Sequence, residues 1–180
     1  MGQPRRGRSL AVFPGSFDPI TNGHLDIVER GLRVFDRVRL AILVNPEKKP
    51  LFSIEERVNL IRAAHRGNRR VEVDTFSGLL VDYAEKVGAS VIIRGIRAIS
   101  DFEFEFQMAL MNRRLNSSIE TVFMMPHESY SYVSSRLVKE VFQLGGKVTE
   151  LVPPVVERRL REVYGTPIRP APRTGRRRIR

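Results

Sequence analysis

Residues 12–31 read VFPGSFDPITNGHLDIVERG. An apolar run stops at Pro14, a tight polar loop carrying Gly15 follows, and an amphipathic pattern begins directly after Gly23 and His24. A short apolar strand, a loop and a helix start in that order open a strand–helix–strand unit. Gly15 and Gly23 let backbone approach a ligand closely. The free N–H groups of the first helical turn, together with the helix dipole, favour an anion there. His24, one of three histidines in the chain, falls in that first turn, where an imidazole can donate to a phosphate oxygen.

Working outward, short apolar runs alternate with longer amphipathic ones. LAVFPG (10–15), VRLAILV (38–44), VEVDTF (71–76), SVIIRG (90–95) and TVFMMP (121–126) predict strands. Most are continuously apolar, as in a parallel sheet covered on both faces. HLDIVERGLRVF (24–35), SIEERVNLIRAAHR (53–66), GLLVDYAEKVG (78–88), DFEFEFQMALMNRRL (101–115), SSRLVKEVFQLGG (134–146) and PPVVERRLREVYG (153–165) predict helices. Ser53 with Glu56 forms a capping box, and Gly88 marks a C-terminal stop. The alternation implies a Rossmann-like α/β fold: a doubly wound, parallel, five-stranded sheet with helices on both faces. In 101–115, Phe102, Phe104 and Phe106 alternate with Glu103 and Glu105 as in a strand. The longer window favours a helix with a stripe of Phe102, Phe106, Ala109, Leu110 and Arg113. Phe104 then sits on another face, where it can meet a partner subunit.

Composition narrows the function classes. The chain has 180 residues, 42% of them hydrophobic, enough for one core. No segment approaches the ~18 consecutive apolar residues of a membrane span, and the apolar run near the N-terminus is too short for a signal peptide. With no Cys, disulfides, thiolate metal sites and cysteine nucleophiles are excluded, and the cytoplasm is the expected location. The formal charge of +11 suggests nucleic acid. However, nine of the 31 basic residues lie before Leu10 or after Gly165, leaving 22 against 20 acidic ones in the body. No specific nucleic acid is therefore expected. The expected organisation is a basic N-terminal arm (1–9), one domain (10–164) and a disordered Pro/Arg-rich tail (165–180).

Three further clusters carry chemistry. Lys48 and Lys49 follow the second strand, as anion ligands or as a solvated pair. Arg94 and Arg97 close the fourth strand around Gly95. Arginine is almost never buried unpaired, so these point to phosphate, whose oxygens suit the guanidinium fork, or to Asp101 or Glu103. Ser134 and Ser135 open a helix, as an N-cap, as a second helix N-terminus facing phosphates, or as both.

The loop lacks the Lys-Ser/Thr ending of a Walker A motif and is not GxGxxG. Thr21-Asn22-Gly23-His24 matches the (T/H)xGH signature of the nucleotidylyltransferase superfamily. Together with PEKKPLF, IRGIRAISDFEFE and SYSYVSSRLVKEV it resembles the bacterial phosphopantetheine adenylyltransferases, from about Leu10 to Tyr164. The resemblance implies transfer of the adenylyl group of ATP to 4'-phosphopantetheine, giving 3'-dephospho-coenzyme A and pyrophosphate. It also implies Mg²⁺ held mainly through the ATP phosphates, with no protein metal site. It further implies a homohexamer and raises feedback by coenzyme A. Residue by residue it implies a catalytic group of His24, Lys48 and Arg94. The implied ATP contacts are Ser16, Phe17, His24, Gly95, Ile96, Arg97, Glu105, Tyr130, Ser131, Tyr132, Val133, Ser134, Ser135 and Arg136. The implied acceptor contacts are Ser16, Lys48, Leu80 and Arg94. Arg136 departs from the family, which often has a small hydroxyl residue there. The acceptor phosphate is itself the nucleophile, so the protein need only position two polyanions and stabilise charge. Two alternatives remain. One is a related nucleotidylyltransferase with another phosphorylated acceptor, whose later motif resembles ISSTxIR or RTxGISTT. The other is a basic nucleic-acid-binding protein.

Overall fold

The computed structural model describes residues 9–44, 49–97 and 99–165. The arm before Ser9, Lys48 and the tail after Gly165 lie outside the described residues. Five strands, β1 (Leu10–Gly15), β2 (Arg37–Leu43), β3 (Val71–Phe76), β4 (Val91–Gly95) and β5 (Glu120–Met124), pair in parallel in the order β3-β2-β1-β4-β5. The helices are α1 (Asn22–Val34), α2 (Ile54–Ala64), α3 (Leu80–Lys86), α4 (Ile99–Leu115), α5 (Ser135–Gln143) and α6 (Pro154–Tyr164).

The chain runs outward from β1 to β3, then returns through α3 to lay β4 on the other side of β1. That reversal is the switch point of a doubly wound sheet, where the loops at the carboxyl ends of two strands part and leave a crevice. The ends of β1 and β4, Gly15 and Gly95, stand on its two sides.

The side-chain period of two splits each strand between two cores. Ala11, Phe13, Val38, Leu40, Ile42 and Ile93 pack against α1, α2, α5 and α6. Leu10, Val12, Ala41 and Ile92 pack on the other face against α3, with α4 beside it. Both faces are covered, which is why β1 is apolar throughout. The edge strand β3 instead alternates, and its Glu72 accepts from Arg37 at 2.7 Å and from Arg39 at 2.7 Å. Ser53 and Glu56 close the expected capping box on α2, and Gly88 takes φ 71° just beyond α3, in the left-handed region open to glycine.

One expectation is corrected. α4 is a helix, but its inward stripe is not Phe102, Phe106, Ala109, Leu110 and Arg113. Phe102 and Phe106 are each 46% exposed and Leu110 48%, whereas Glu105 and Asn112 are buried and Ala109 half-buried between them. The inward positions run i, i+4, i+7 from Glu105. The apolar residues of α4 point to more than one side of the helix, so the apolar pattern carries no single direction. A half-buried arginine on β4, Arg94, supplies the direction instead.

Candidate active site

The loop after β1 is pinned from below. Asp18 is buried, and its carboxylate accepts from the backbone N–H groups of Leu51 and Phe52, each at 2.9 Å, and from Lys139 Nζ at 2.7 Å. Arg57, buried on α2, donates to the Ser16 carbonyl at 2.9 Å and to the Ser53 carbonyl at 3.3 Å. One carboxylate and one guanidinium thus fix the loop to the start of α2 and to α5. At the tip, Phe17 adopts φ 45°, a strained region for a bulky residue that costs about 1–3 kcal/mol. That conformation turns its ring inward, where it is buried. A Cβ on Gly15 would lie 2.9 Å from that ring, so any side chain there would have to displace it. The ring in turn stands edge-on to His24, with centroids 5.1 Å apart.

His24 is the third residue of α1, capped by Thr21. The Thr21 N–H donates to His24 Nδ1 at 3.0 Å, and the His24 N–H donates to Thr21 Oγ1 at 3.4 Å. An imidazole here occupies the place of the usual Glu or Gln in a capping box. Because Nδ1 accepts, the ring proton sits on Nε2. Burial, and then the positive charge of Arg97, lower the His24 pKa from 6.5 to about 4. At neutral pH the ring is therefore an uncharged donor, fixed in tautomer and orientation.

Arg94 is held in a fork. Its Nε donates to Glu105 Oε2 at 2.6 Å, a second nitrogen donates to Oε1, and a third bond runs to the Pro14 carbonyl at 3.1 Å. The partner is thus Glu105 rather than Glu103, the side chain of Asp101 lying outside the described residues, and it explains why α4 turns Glu105 inward. Arg97 donates to the Val133 carbonyl at 3.3 Å. Ser134 caps α5 by accepting from the Leu137 N–H at 3.1 Å, while Ser135 Oγ donates to the Pro19 carbonyl at 2.6 Å. The two serines divide the readings the sequence left open: one caps, and its neighbour borders the site.

Three cavities meet over the carboxyl ends of the strands. The central one, about 330 Å³, is lined by Ser16, Phe17, His24, Gly95, Arg97, Glu105, Tyr130, Val133, Ser135 and Arg136 among others, with Arg94 in its wall. An apolar one of about 460 Å³ lies between the β1 loop, Leu79, Leu80 and the Phe104, Met108 and Asn112 side of α4. A basic one of about 340 Å³ lies between Ser16, Asp18, Lys49, Arg57, Arg136 and Lys139. Ten of the expected ATP contacts therefore line one cavity, and Leu80 and Arg94 line its apolar neighbour. Ile96, Ser131, Tyr132 and Ser134 do not line the central cavity.

Residues 12–141 match the family model described as cytidylyltransferase-like. The chain is 54% identical over 155 residues to the phosphopantetheine adenylyltransferase of Caldanaerobacter subterraneus subsp. tengcongensis, covering 86% of this chain and 97% of that one. It is 55% identical over 161 residues to that of Heliobacterium modesticaldum, covering 89% and 96%. The chain belongs to the phosphopantetheine adenylyltransferase family. A bifunctional NMN adenylyltransferase/ADP ribose pyrophosphatase from Francisella tularensis shares the fold, with a TM-score of 0.66 at 16% identity over 87% of this chain and 49% of that one.

Beside the residues expected from sequence, the site uses several that sequence reading missed. Thr21 sets the imidazole tautomer, and the Thr-x-x-His spacing is a capping-box signal that could have shown it. Asn112, buried on α4, places an amide in the largely apolar cavity that Arg94 and Glu105 also line. Asp18, Arg57 and Lys139 act over sequence separations of up to 121 residues, and no local pattern announces them.

Proposed function

We propose that the cavities divide the family's reaction, the transfer of the adenylyl group of ATP to 4'-phosphopantetheine, between them. The central cavity takes the adenylyl part. The apolar cavity takes the pantetheine arm, with Leu80 against its methylenes and Asn112 as a polar group for its amides. Arg94, in the wall between the two cavities, meets the acceptor phosphate. Glu105 holds that guanidinium in place, so it acts as a positioning residue for Arg94 while bordering the nucleotide. The observation that carries the reading is His24: a neutral, tautomer-fixed donor at a helix N-terminus, in a cavity that also holds Arg94 and Arg97. Such a donor stabilises charge developing on the α-phosphoryl group, and the acceptor phosphate attacks without help from a side-chain nucleophile.

Among the described residues no group of three or more His, Cys, Asp or Glu converges as a metal cage, and Asp18 is already engaged by two N–H groups and a lysine. The donor set fits Mg²⁺ that arrives on the ATP phosphates with water as its remaining ligands, the usual mode for this ion. There it would neutralise the phosphate oxygens.

A second copy of the chain is the proposed neighbour of the exposed apolar face of α4, in the homohexamer that the resemblance implies. Among the described residues no helix is long and apolar enough to cross a membrane. The deciding experiment is pyrophosphate release from ATP and Mg²⁺ with 4'-phosphopantetheine, run beside nicotinamide mononucleotide. Release with the first acceptor and none above background with the second is expected; the reverse would overturn the reading.

A further inference from the structure

Asp26 lies two residues beyond His24 on α1, outside the lining of the three cavities described above. Its Oδ2 accepts from the His127 backbone N–H at 2.7 Å, across 101 positions of sequence, and from Arg30 Nε at 2.8 Å. His127 opens a short 3₁₀ turn, Glu128–Tyr130, on the path from β5 to α5. Residues 127–129 are exposed, so little packing holds the start of this segment. Asp26 grips its first N–H. A Cβ on Gly23 would lie 3.3 Å from Tyr130 Cβ, so the turn rests directly on the first turn of α1. Arg97 holds the far end through the Val133 carbonyl at 3.3 Å. Tyr130 lines both the central cavity and an open outer cavity bordered by Asp26, Glu29 and His127. The tyrosine is thus a partition, with the central cavity on one side and the carboxylate on the other.

We propose that Asp26 is a positioning residue for the nucleotide: by gripping the His127 N–H it sets the wall made by Tyr130 and Val133 at a fixed distance from His24. The inference rests on the adenylyl-transfer reading above, which gives the central cavity to the adenylyl part. α1 then carries both the donor imidazole and the grip on the facing wall, so one helix spaces the two. Groups held by a helix are placed more closely than groups held by loops, and here the helix lends that order to a loop. A bond from an N–H to an ionised carboxylate is roughly twice as strong as one between neutral groups. Outside the central cavity and paired with Arg30, the carboxylate supplies that bond without setting its charge against a polyanion. Orientation is sensitive to such spacing, since a misplacement of about 1 Å can cost about 100-fold in rate. In the sequence, Asp26 and Arg30 read as an ordinary i,i+4 surface pair. The bond to His127 gives the carboxylate its second task.

The test deletes the bond from either end. His127 has φ −55° and an exposed side chain, so proline fits its backbone and removes the N–H together with the ring. His127→Ala removes the ring and keeps the N–H. Calorimetry on the full chain measures AMP and 4'-phosphopantetheine binding to wild type, Asp26→Ala, Asp26→Asn, His127→Ala, His127→Pro and Asp26→Ala/His127→Pro. Asp26→Ala and His127→Pro should each bind AMP about tenfold more weakly, with the acceptor within about twofold of wild type. Asp26→Asn, which keeps an acceptor oxygen, and His127→Ala should bind AMP within about threefold of wild type. The double variant should be no weaker than either single one, because both delete the same bond. Steady-state kinetics should place the same loss in the KM for ATP. Unchanged AMP affinity in Asp26→Ala and His127→Pro would overturn the assignment. So would equal weakening of AMP and acceptor, the mark of general loosening. Asp26→Asn as weak as Asp26→Ala would overturn it too, by tracing the effect to the Arg30 ion pair. A thermal melt accompanies each variant; should Asp26→Ala fail to fold, His127→Pro against His127→Ala decides alone. Wild-type protein that releases no pyrophosphate from ATP and acceptor would remove the underlying function instead. Active wild type with insensitive variants would remove this inference alone.

Discussion

At the scale of single residues, His24 decides most. Its position in the first turn of α1 is legible in the sequence, because glycine precedes it and the amphipathic pattern starts there. Its charge state is not legible, since that depends on burial and on Arg97, 73 positions along the chain by numbering. Two outcomes follow from the geometry. His24→Ala should retain ATP binding while kcat falls about 100- to 1000-fold, the usual cost of one lost donor to a developing oxyanion; steady-state kinetics with calorimetry separates the two. The second outcome concerns acid. The folded pKa, about 4, lies below the ordinary 6.5, so between those values the unfolded chain binds a proton that the folded one refuses. Stability then falls as pH drops through that window and is fully present above it. Denaturant titrations at pH 7 and pH 5 should show wild type losing more stability on acidification than His24→Ala. An equal loss would mean that the imidazole is charged in the fold. The kcat/KM profile of wild type should likewise show no inflection near 6.5 from this residue.

At the scale of elements, the contrast lies between β1 and α4. The β1 loop is readable as a ligand loop because Gly15, Gly23 and His24 fall within one short stretch between a strand and a helix. α4 was readable as a helix but not in its orientation. Its apolar residues point to more than one side, and the residue that turns inward, Glu105, does so to meet Arg94 on β4. A pairing between two elements is invisible to a pattern within one. Asp18 makes the same point: a loop aspartate reads as a turn residue, yet this one is buried beneath groups from two other elements. The glycine that ends β1 gives the prediction at this scale. A methyl at residue 15 would lie 2.9 Å from the Phe17 ring, which is buried and packed on His24. Gly15→Ala should therefore lower stability by about 1–3 kcal/mol through overpacking and lower kcat as well, because the displaced ring carries the imidazole with it. A melt and a turnover assay check both; a drop in stability with kcat intact would show that the ring does not brace the histidine.

At the scale of the whole molecule, the exposed apolar side chains of α4 exceed what a lone subunit would leave to water. Phe102, Phe104, Phe106, Leu110, Met111 and Leu115 all stand exposed on one helix, with Phe104, Met111 and Leu115 also lining the apolar cavity, and so much exposed apolar surface marks an interaction face. Light scattering at micromolar concentration should return a multiple of the 20.6 kDa chain, six-fold on the proposed assembly; a monomer mass would overturn it. The same helix is also the inner wall of the apolar cavity, through Phe104, Met108 and Asn112. A wall shared between a pocket and a neighbour-binding surface ties catalysis to protein concentration. Diluted far below the assembly constant, the enzyme should lose specific activity with a lag set by subunit dissociation, and saturating acceptor should slow that decay by holding the wall in place.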